Sequence, residues 1–315
     1  MSKNEKLHPS IGPFLDYLER EKRYPKNTYN AYDEDLSQFF DYLLNNNPDE
    51  PDEDLRGLGL GSVELRDLTA GLVRSWLASL KKRKQSAKTI NRKISTLKSF
   101  FKYHLRTGTI ELSPMTNIIA PKIPKRLPNY VEQKDIDTLF TKLPFPDTWK
   151  GRTDQLLLAV FYNTGMRLTE LIQLKERHVD TARKSLKVLG KGSKERIIPV
   201  SADLVTVLDA YMQEKRSALE TFDPEFLFVN EQGKKLYPKY VYRVVNSYLQ
   251  QVTTIEKTSP HVLRHTFATH LANNGADLNA VKELLGHSSL AATQIYTHNT
   301  IEKLKDIYKK AHPKA

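Results

Sequence analysis

Six polar side chains occupy positions in the second half of the chain where a plain fold gives little reason to place them. Arg167 follows the apolar run LLLAVFYNTGM and is therefore delivered at the end of a buried helix. Lys191 stands between two glycines, and His261 and Arg264, three residues apart, share one helix face. Taken singly, an arginine after a buried helix is more often an ion-pair partner, a lysine in a hairpin turn is usually solvated, and a histidine near a helix end is commonly a cap. The full set is Arg167, Lys191, His261, Arg264, His287 and Tyr296.

Taken together, these residue types fit one chemistry, which is attack on a phosphodiester. That reaction needs positive groups around the non-bridging oxygens, an in-line nucleophile and an acid for the leaving oxygen. Two arginines supply forked donors that hold both non-bridging oxygens. A tyrosine hydroxyl, whose pKa is ordinarily near 10, needs a neighbouring base or hydrogen-bond acceptor such as histidine.

The elements that carry these residues are predicted to be mainly helical with a small antiparallel sheet. Apolar periodicity predicts helices over 132–143, 152–163, 204–216, 237–250, 260–274 and 278–285, the last capped by Asp277. The runs SLKVL and ERIIPV, joined by GKGSK, predict a hairpin. This catalytic region is assigned to residues 131–315.

Residues 1–112 are predicted to form a separate helical domain. Helical periodicity covers 11–20, 27–44 and 70–80, with Thr28 and Thr69 as expected N-caps, and an acidic, glycine-bearing loop lies at 49–61. The segment 81–106 contains ten Lys or Arg and no Asp or Glu, which predicts an amphipathic helix with a basic face suited to phosphates. Its candidate DNA contacts are Lys81, Lys82, Arg83, Lys84, Lys88, Arg92 and Lys93.

Residues 113–130 are predicted to be a basic linker between the two domains. Prolines at 114, 121, 124 and 128 remove amide donors and prevent a helix from continuing. Lys122, Lys125 and Arg126 are further candidate contacts to a nucleic-acid backbone.

Composition narrows the classes of function. The net charge of +12 favours a polyanionic partner. The chain has no cysteine, which excludes disulfides, thiolate metal sites and cysteine nucleophiles. It has no GxxxxGK[ST] phosphate loop, no signal-peptide pattern and no long apolar run. We therefore expect a cytoplasmic, nucleoid-associated protein.

The segments NTGMRLTEL, LGKGSKERIIPV, HVLRHTFATHLANNGADL and LLGHSSLAATQIYTH resemble those of the Xer-type tyrosine recombinases, which belong to the phage integrase family. The resemblance covers essentially the whole chain. It implies a helical SAM-like core-binding domain and a recombinase catalytic domain that together clamp DNA in a C shape.

The resemblance also implies a role for each motif residue. Arg167 and Arg264 match the phosphate-binding arginines, and Lys191 matches the lysine thought to protonate the leaving 5′ oxygen. His261 and His287 match the histidines that contact the phosphate or assist proton transfer. Tyr296 matches the nucleophile, and Glu170 matches an acidic position that supports the site.

The implied reaction is two transesterifications through a 3′-phosphotyrosyl link, with no cofactor, ATP or metal. The implied assembly is a homo- or hetero-tetramer on two DNA duplexes, coupled by a C-terminal exchange helix at 299–312. A paralogous recombinase and a DNA translocase activator are further expected partners. Resolution of chromosome dimers is the favoured role, because the chain starts directly with its core-binding helices. An integrase of a phage or conjugative element is the alternative.

Three other interpretations compete with recombination. A zinc site is one, because His261, His265, His270, His287 and His298 are numerous, although there is no HExxH motif. A DNA-binding protein without catalysis is the second, since residues 271–296 resemble a helix-turn-helix. A type IB topoisomerase, which cuts DNA in the same way, is the third.

Overall fold

The computed structural model describes residues 8–45, 63–123, 129–190, 195–286 and 306–313. The chain divides into two compact units, Met1–Arg126 and Leu127–Ala315. The division falls inside the segment 113–130 that was predicted as a linker. Met115 and Ile118, near the start of that segment, are buried in the core of the first unit.

The first unit is built from helices around an aromatic core. Helix α1 is Ile11–Asp16 and continues as a π-helical turn, Tyr17–Glu21. It is followed by α2 (Lys26–Asn45), a 3-10 turn (Leu65–Asp67), α3 (Ala70–Lys82) and α4 (Ala87–Arg106). Apolar side chains at helical spacing point inward from each helix. The largest fully buried ones are Phe14, Phe39, Phe40, Trp76, Phe100 and Phe101.

The prediction of one basic helix over 81–106 is wrong, because the chain breaks between α3 and α4. Lys84 adopts a left-handed backbone conformation with φ of 57°, which ends the helical path. Ser86 then caps α4, and its hydroxyl accepts the backbone N–H of Thr89 at 3.1 Å. Thr69 caps α3 as predicted, whereas α2 begins at Lys26 and leaves Thr28 inside its first turn.

The second unit combines helices with a three-stranded antiparallel sheet in the order β1-β2-β3. Helices α5 (Gln133–Thr141), α6 (Trp149–Thr164) and α7 (Leu168–Ile172) precede strands β1 (Val179–Asp180), β2 (Ser185–Leu189) and β3 (Glu195–Pro199). Helices α8 (Ala202–Ala218), α9 (Pro238–Leu249), α10 (Pro260–Asn273) and α11 (Leu278–Leu285) follow. The predicted hairpin is confirmed, with Leu189 opposite Glu195 and Ser185 opposite Pro199.

Helix α6 is the centre of the second core. Most of its residues from Leu156 to Thr164 are buried, and it packs against α8, α9 and α10. Residues 306–311 are helical and add Tyr308 and Ala311 to this core, where the Tyr308 hydroxyl donates to Asn163 Oδ1 at 3.3 Å. Within the described chain, therefore, the end of the predicted exchange helix lies against its own unit.

In the part of the chain that the structure describes, no helix combines the length and the apolar character needed to cross a membrane.

Candidate functional site

Arg167 is positioned by the end of α6 and the start of α7. Gly165 closes α6 in a left-handed conformation (φ 57°), and the chain turns there so that Arg167 becomes the N-cap of α7. The Glu170 carboxylate accepts the backbone N–H of Arg167 at 2.7 Å and its Nη1–H at 2.8 Å. Glu170 therefore holds both the backbone and the guanidinium of Arg167, while 39% of the Arg167 side chain remains exposed.

Arg264 approaches the same place from α10. Its Nη1 donates to the carbonyl of Gly165 and its Nη2 to the carbonyl of Leu285, both at 2.6 Å. These bonds use two of the five N–H donors that a guanidinium carries. Burial, and then the charge of Arg167, lower the pKa of Arg264 to about 10, so the group stays protonated at neutral pH.

Arg196 is a third arginine of this cluster, and it was missed in the sequence. It lies on β3 and is buried, and its Nη1 and Nη2 donate to the two oxygens of Glu170 at 3.0 and 2.8 Å. Its position held a usable signal, since it shares the inward face of β3 with Ile198. A charged side chain on a core-facing position requires a buried partner.

Glu170 connects the arginines. Burial acts to raise the pKa of this carboxyl, but the hydrogen bonds and charge of Arg196, followed by the N–H groups of Arg167, lower it to about 2. Two guanidinium groups, those of Arg167 and Arg196, thus share one carboxylate. With Arg264 included, the four side chains retain an excess of positive charge.

The C-terminal end of α11 accepts hydrogen bonds from all three arginines. Arg196, Arg264 and Arg167 donate to the successive carbonyls of Leu284 (2.8 Å), Leu285 (2.6 Å) and Gly286 (3.1 Å). The last carbonyls of a helix lack intrahelical partners and carry partial negative charge, which makes them suited to cations. Gly286 ends the helix at φ 64°, where an added Cβ would come within 3.2 Å of Arg196.

His261 is the other predicted site residue that the structure describes. It is exposed on the first turn of α10, one helical turn before Arg264. Lys191, His287 and Tyr296 lie outside the described residues. Lys191 and His287 directly follow Gly190 and Gly286, which are the last residues of two described segments. The carbonyl of Gly286 accepts a hydrogen bond from Arg167 of the arginine cluster.

The arrangement is chemically suited to an oxyanion with two or more acceptor oxygens. Arg167 presents a partly exposed guanidinium near the buried guanidinium of Arg264. Arg167 shares its carboxylate partner, Glu170, with Arg196, and Arg264 bonds carbonyl groups only, so positive charge remains for a ligand. Such paired forks bind phosphate in preference to monodentate anions. Across the described residues, no group of three or more His, Cys, Asp or Glu side chains is placed to hold a metal ion.

The predicted DNA contacts of the first unit differ in exposure. The prediction for Lys93 is wrong, because its side chain is 3% exposed and its Nζ donates to Asp35 at 2.8 Å and to Gln38 at 2.6 Å. Arg92 is half-exposed and also pairs with Asp35. The remaining described candidates are exposed, and these are Lys81, Lys82, Arg83, Lys84, Lys88 and Lys122. Lys125 and Arg126 lie outside the described residues.

Two family matches cover most of the chain. Residues 129–303 match the phage integrase family, and residues 58–108 match the N-terminal SAM-like domain of phage integrases.

The fold is also similar to solved structures of low sequence identity. One is the XerH site-specific recombinase bound to palindromic difH substrate, with a TM-score of 0.67 and 23% identity, covering 96% of this chain and 90% of that one. Another is the Tn1549 transposon integrase in complex with circular intermediate DNA, with a TM-score of 0.65 and 18% identity, covering 93% and 98%.

Curated relatives are similar along nearly the whole length. Tyrosine recombinase XerC of Chlorobaculum parvum is 36% identical, covering 97% of this chain and 94% of its own. XerC of Oceanobacillus iheyensis is 38% identical over 97% and 96%, and tyrosine recombinase XerD of Listeria innocua is 35% identical over 98% and 100%. The arginine cluster, the recombinase fold and these relatives agree, and the chain belongs to the phage integrase family of tyrosine recombinases.

Proposed function

We propose that this protein is a site-specific recombinase that cuts and rejoins double-stranded DNA, with Tyr296 as nucleophile, and that its role is the resolution of chromosome dimers. The observation that carries the chemistry is the pair of guanidinium groups of Arg167 and Arg264, held on consecutive carbonyls of α11. The role in chromosome resolution is supported by the full-length similarity to proteins named XerC and XerD.

In the proposed first step the Tyr296 oxygen attacks the scissile phosphorus, and the bond from phosphorus to the 5′ oxygen breaks. Arg167 and Arg264 bind the non-bridging oxygens and stabilise the charge that develops on them. Lys191 supplies the proton that the leaving 5′ oxygen takes up. His261 and His287 contact the phosphate and assist the transfer of the tyrosine proton.

In the proposed second step the 5′ hydroxyl of a partner strand attacks the phosphotyrosine and releases Tyr296. One phosphoester bond is exchanged for another in each step, so the reaction needs no ATP. The exposed lysines and arginines of the first unit are proposed to bind the DNA backbone, because each phosphate neutralised releases condensed counterions. Exchange between duplexes further requires several copies of this chain, or this chain with a paralogue. A DNA translocase is the proposed activator.

Covalent capture tests the central claim. Wild type, Tyr296→Phe and Tyr24→Phe are expressed in the native host, the cells are denatured without proteolysis, and DNA still attached to the protein is sequenced. Tyr24 is an exposed tyrosine of the first unit and serves as the matched control. We expect attachment with wild type and Tyr24→Phe at one or a few loci, and none with Tyr296→Phe.

The captured sequences also separate the biological roles. A single locus near the replication terminus supports resolution of chromosome dimers, whereas loci at the ends of mobile elements support the integrase alternative. Equal attachment in wild type and Tyr296→Phe would mean that Tyr296 is not the nucleophile. Attachment at many unrelated loci would favour a topoisomerase.

A further inference from the structure

Arg196 is the most buried arginine of the cluster, and its side chain does not extend to a position where it could contact DNA. Its side chain is 5% exposed, and the three nitrogens of its guanidinium donate to Glu170 and to the carbonyl of Leu284. Because the side chain is buried and each of its three nitrogens donates within the protein, Arg196 is unsuited to bind substrate directly. Its contacts lead instead to groups that do face the ligand.

One of these contacts leads to Arg167 through Glu170. The Oε1 atom of Glu170 accepts from Arg196 and from Arg167 Nη1, and the Oε2 atom accepts from Arg196 and from the backbone N–H of Arg167. A carboxylate held by a bidentate fork has one orientation only. That orientation determines where the partly exposed guanidinium of Arg167 lies.

The other contact leads to the end of α11. Arg196 Nε donates to the carbonyl of Leu284, and the next two carbonyls accept from Arg264 and Arg167. Arg196 therefore joins β3, α7 and α11, three elements that have no sequence continuity with one another. Arg196 thus contacts both groups that hold the Arg167 guanidinium, which are the Glu170 carboxylate and the C-terminal end of α11.

We infer that Arg196 is a positioning residue of the recombinase site, which aligns Arg167 on the scissile phosphate through the carboxylate of Glu170 and the C-terminal carbonyls of α11. The inference rests on the proposed function. It assigns to a buried strand residue a share of catalysis that does not involve contact with DNA. It also explains why a charge is kept on the core-facing side of β3.

The test compares Arg196→Met and Arg196→Lys with wild type on a synthetic duplex of the locus recovered by covalent capture. Methionine removes the fork at similar length, and lysine keeps the charge but not the bidentate geometry. We expect the rate of covalent complex formation to fall roughly 100-fold for Arg196→Met, as for a misplaced catalytic group, while the Kd for DNA changes less than about threefold. Lys187→Met, on the exposed side of the adjacent strand, is the matched control for loss of charge and should cut like wild type.

Two readouts distinguish positioning from a general loss of structure. A duplex with a methylphosphonate at the scissile position has no negative charge for Arg167 to bind. The difference between wild type and the Arg196 variants should therefore shrink to within roughly threefold on this substrate. A purely structural defect would lower both rates alike. In addition, Glu170→Gln combined with Arg196→Met should slow cleavage by much less than the product of the single effects, because both act through the same carboxylate.

Every outcome bears on the inference. If Arg196→Met does not fold, Arg196→Lys is measured in its place, and folding is followed by urea unfolding. Wild-type cleavage by a folded Arg196 variant overturns the inference, as does an equal loss of rate on both substrates. A wild-type protein that never attaches to DNA through Tyr296 overturns the proposed function instead, and the two failures are thus separable.

Discussion

Gly165 is the position where one added methyl group should disturb the site most directly. It adopts φ of 57°, and a Cβ built there would lie 2.3 Å from Cδ1 of Phe267, with two further ring atoms at 2.9 Å. Phe267 is fully buried on α10, one turn after Arg264. Because the ring is fully buried in a packed core, we expect the collision to be transmitted to α10 and to the guanidinium of Arg264.

The expected loss of stability for Gly165→Ala has two parts. A left-handed conformation costs about 1–2 kcal/mol for a residue with a Cβ. Overpacking of a dense core adds about 1–3 kcal/mol. The smaller entropy of the unfolded alanine chain offsets roughly 0.5 kcal/mol of this loss. The free energy of unfolding should therefore fall by about 1.5–4.5 kcal/mol.

Gly275→Ala is the matched control, because Gly275 also has a positive φ (86°) but its Cβ would meet nothing within 4 Å. That variant should show the backbone part alone, about 1 kcal/mol. Urea unfolding of both variants, with equal m-values, gives the difference due to Phe267. Combining Gly165→Ala with Phe267→Leu should cost less than the sum of the single changes, because the smaller side chain relieves the contact.

The rate of covalent complex formation should depend on the contact between the added Cβ and Phe267, and not on the backbone strain. The Gly165 carbonyl accepts a hydrogen bond from Arg264 at 2.6 Å, so a shift of α10 against this turn moves the guanidinium that is proposed to bind the phosphate. We expect Gly165→Ala to form the covalent DNA complex far more slowly than Gly275→Ala at a temperature where both are folded. Equal unfolding midpoints for the two variants would refute the reasoning, since the ring of Phe267 would then move aside without cost.

Three further predictions concern charge. Reversal of Lys81, Lys82 and Arg83 to Glu should weaken DNA binding across all sequences and reduce the salt slope, and an unchanged slope would contradict their role as phosphate contacts. Lys93→Met should leave the salt slope unchanged but lower the free energy of unfolding by roughly 3 kcal/mol, because it removes a partner from a buried ion pair. The pKa of Glu170 is lowered from 4.5 to about 2, so its stabilisation is present above pH 4.5 and is lost as pH falls towards 2. Glu170→Gln should be less stable than wild type at neutral pH, and urea unfolding should show this difference shrinking over that acid range; a constant difference would show that the carboxylate charge does not stabilise the fold.

Local sequence signals determined much of this protein. The hairpin of β2 and β3, the cap at Asp277 and the helices around the site follow from periodicity and capping chemistry, which act over a few residues. The motif order also placed Arg167 and Arg264 in one family pattern, and the helix end at Gly165 made Arg167 a plausible site residue before any fold was available.

The tertiary structure decided which charges are internal and which face outward. Lys93 lies in a run of basic residues that looks uniformly solvated, yet it pairs with Asp35, 58 residues away, inside the first core. Arg196 and Glu170 are 26 residues apart and belong to a strand and a helix with unrelated patterns. Such pairs depend on how elements pack, because periodicity assigns a side chain to a face but not to a partner. Residue types, their spacing and the family resemblance predicted the chemistry and the supporting role of Glu170, whereas only packing identified Arg196 as the partner of that carboxylate.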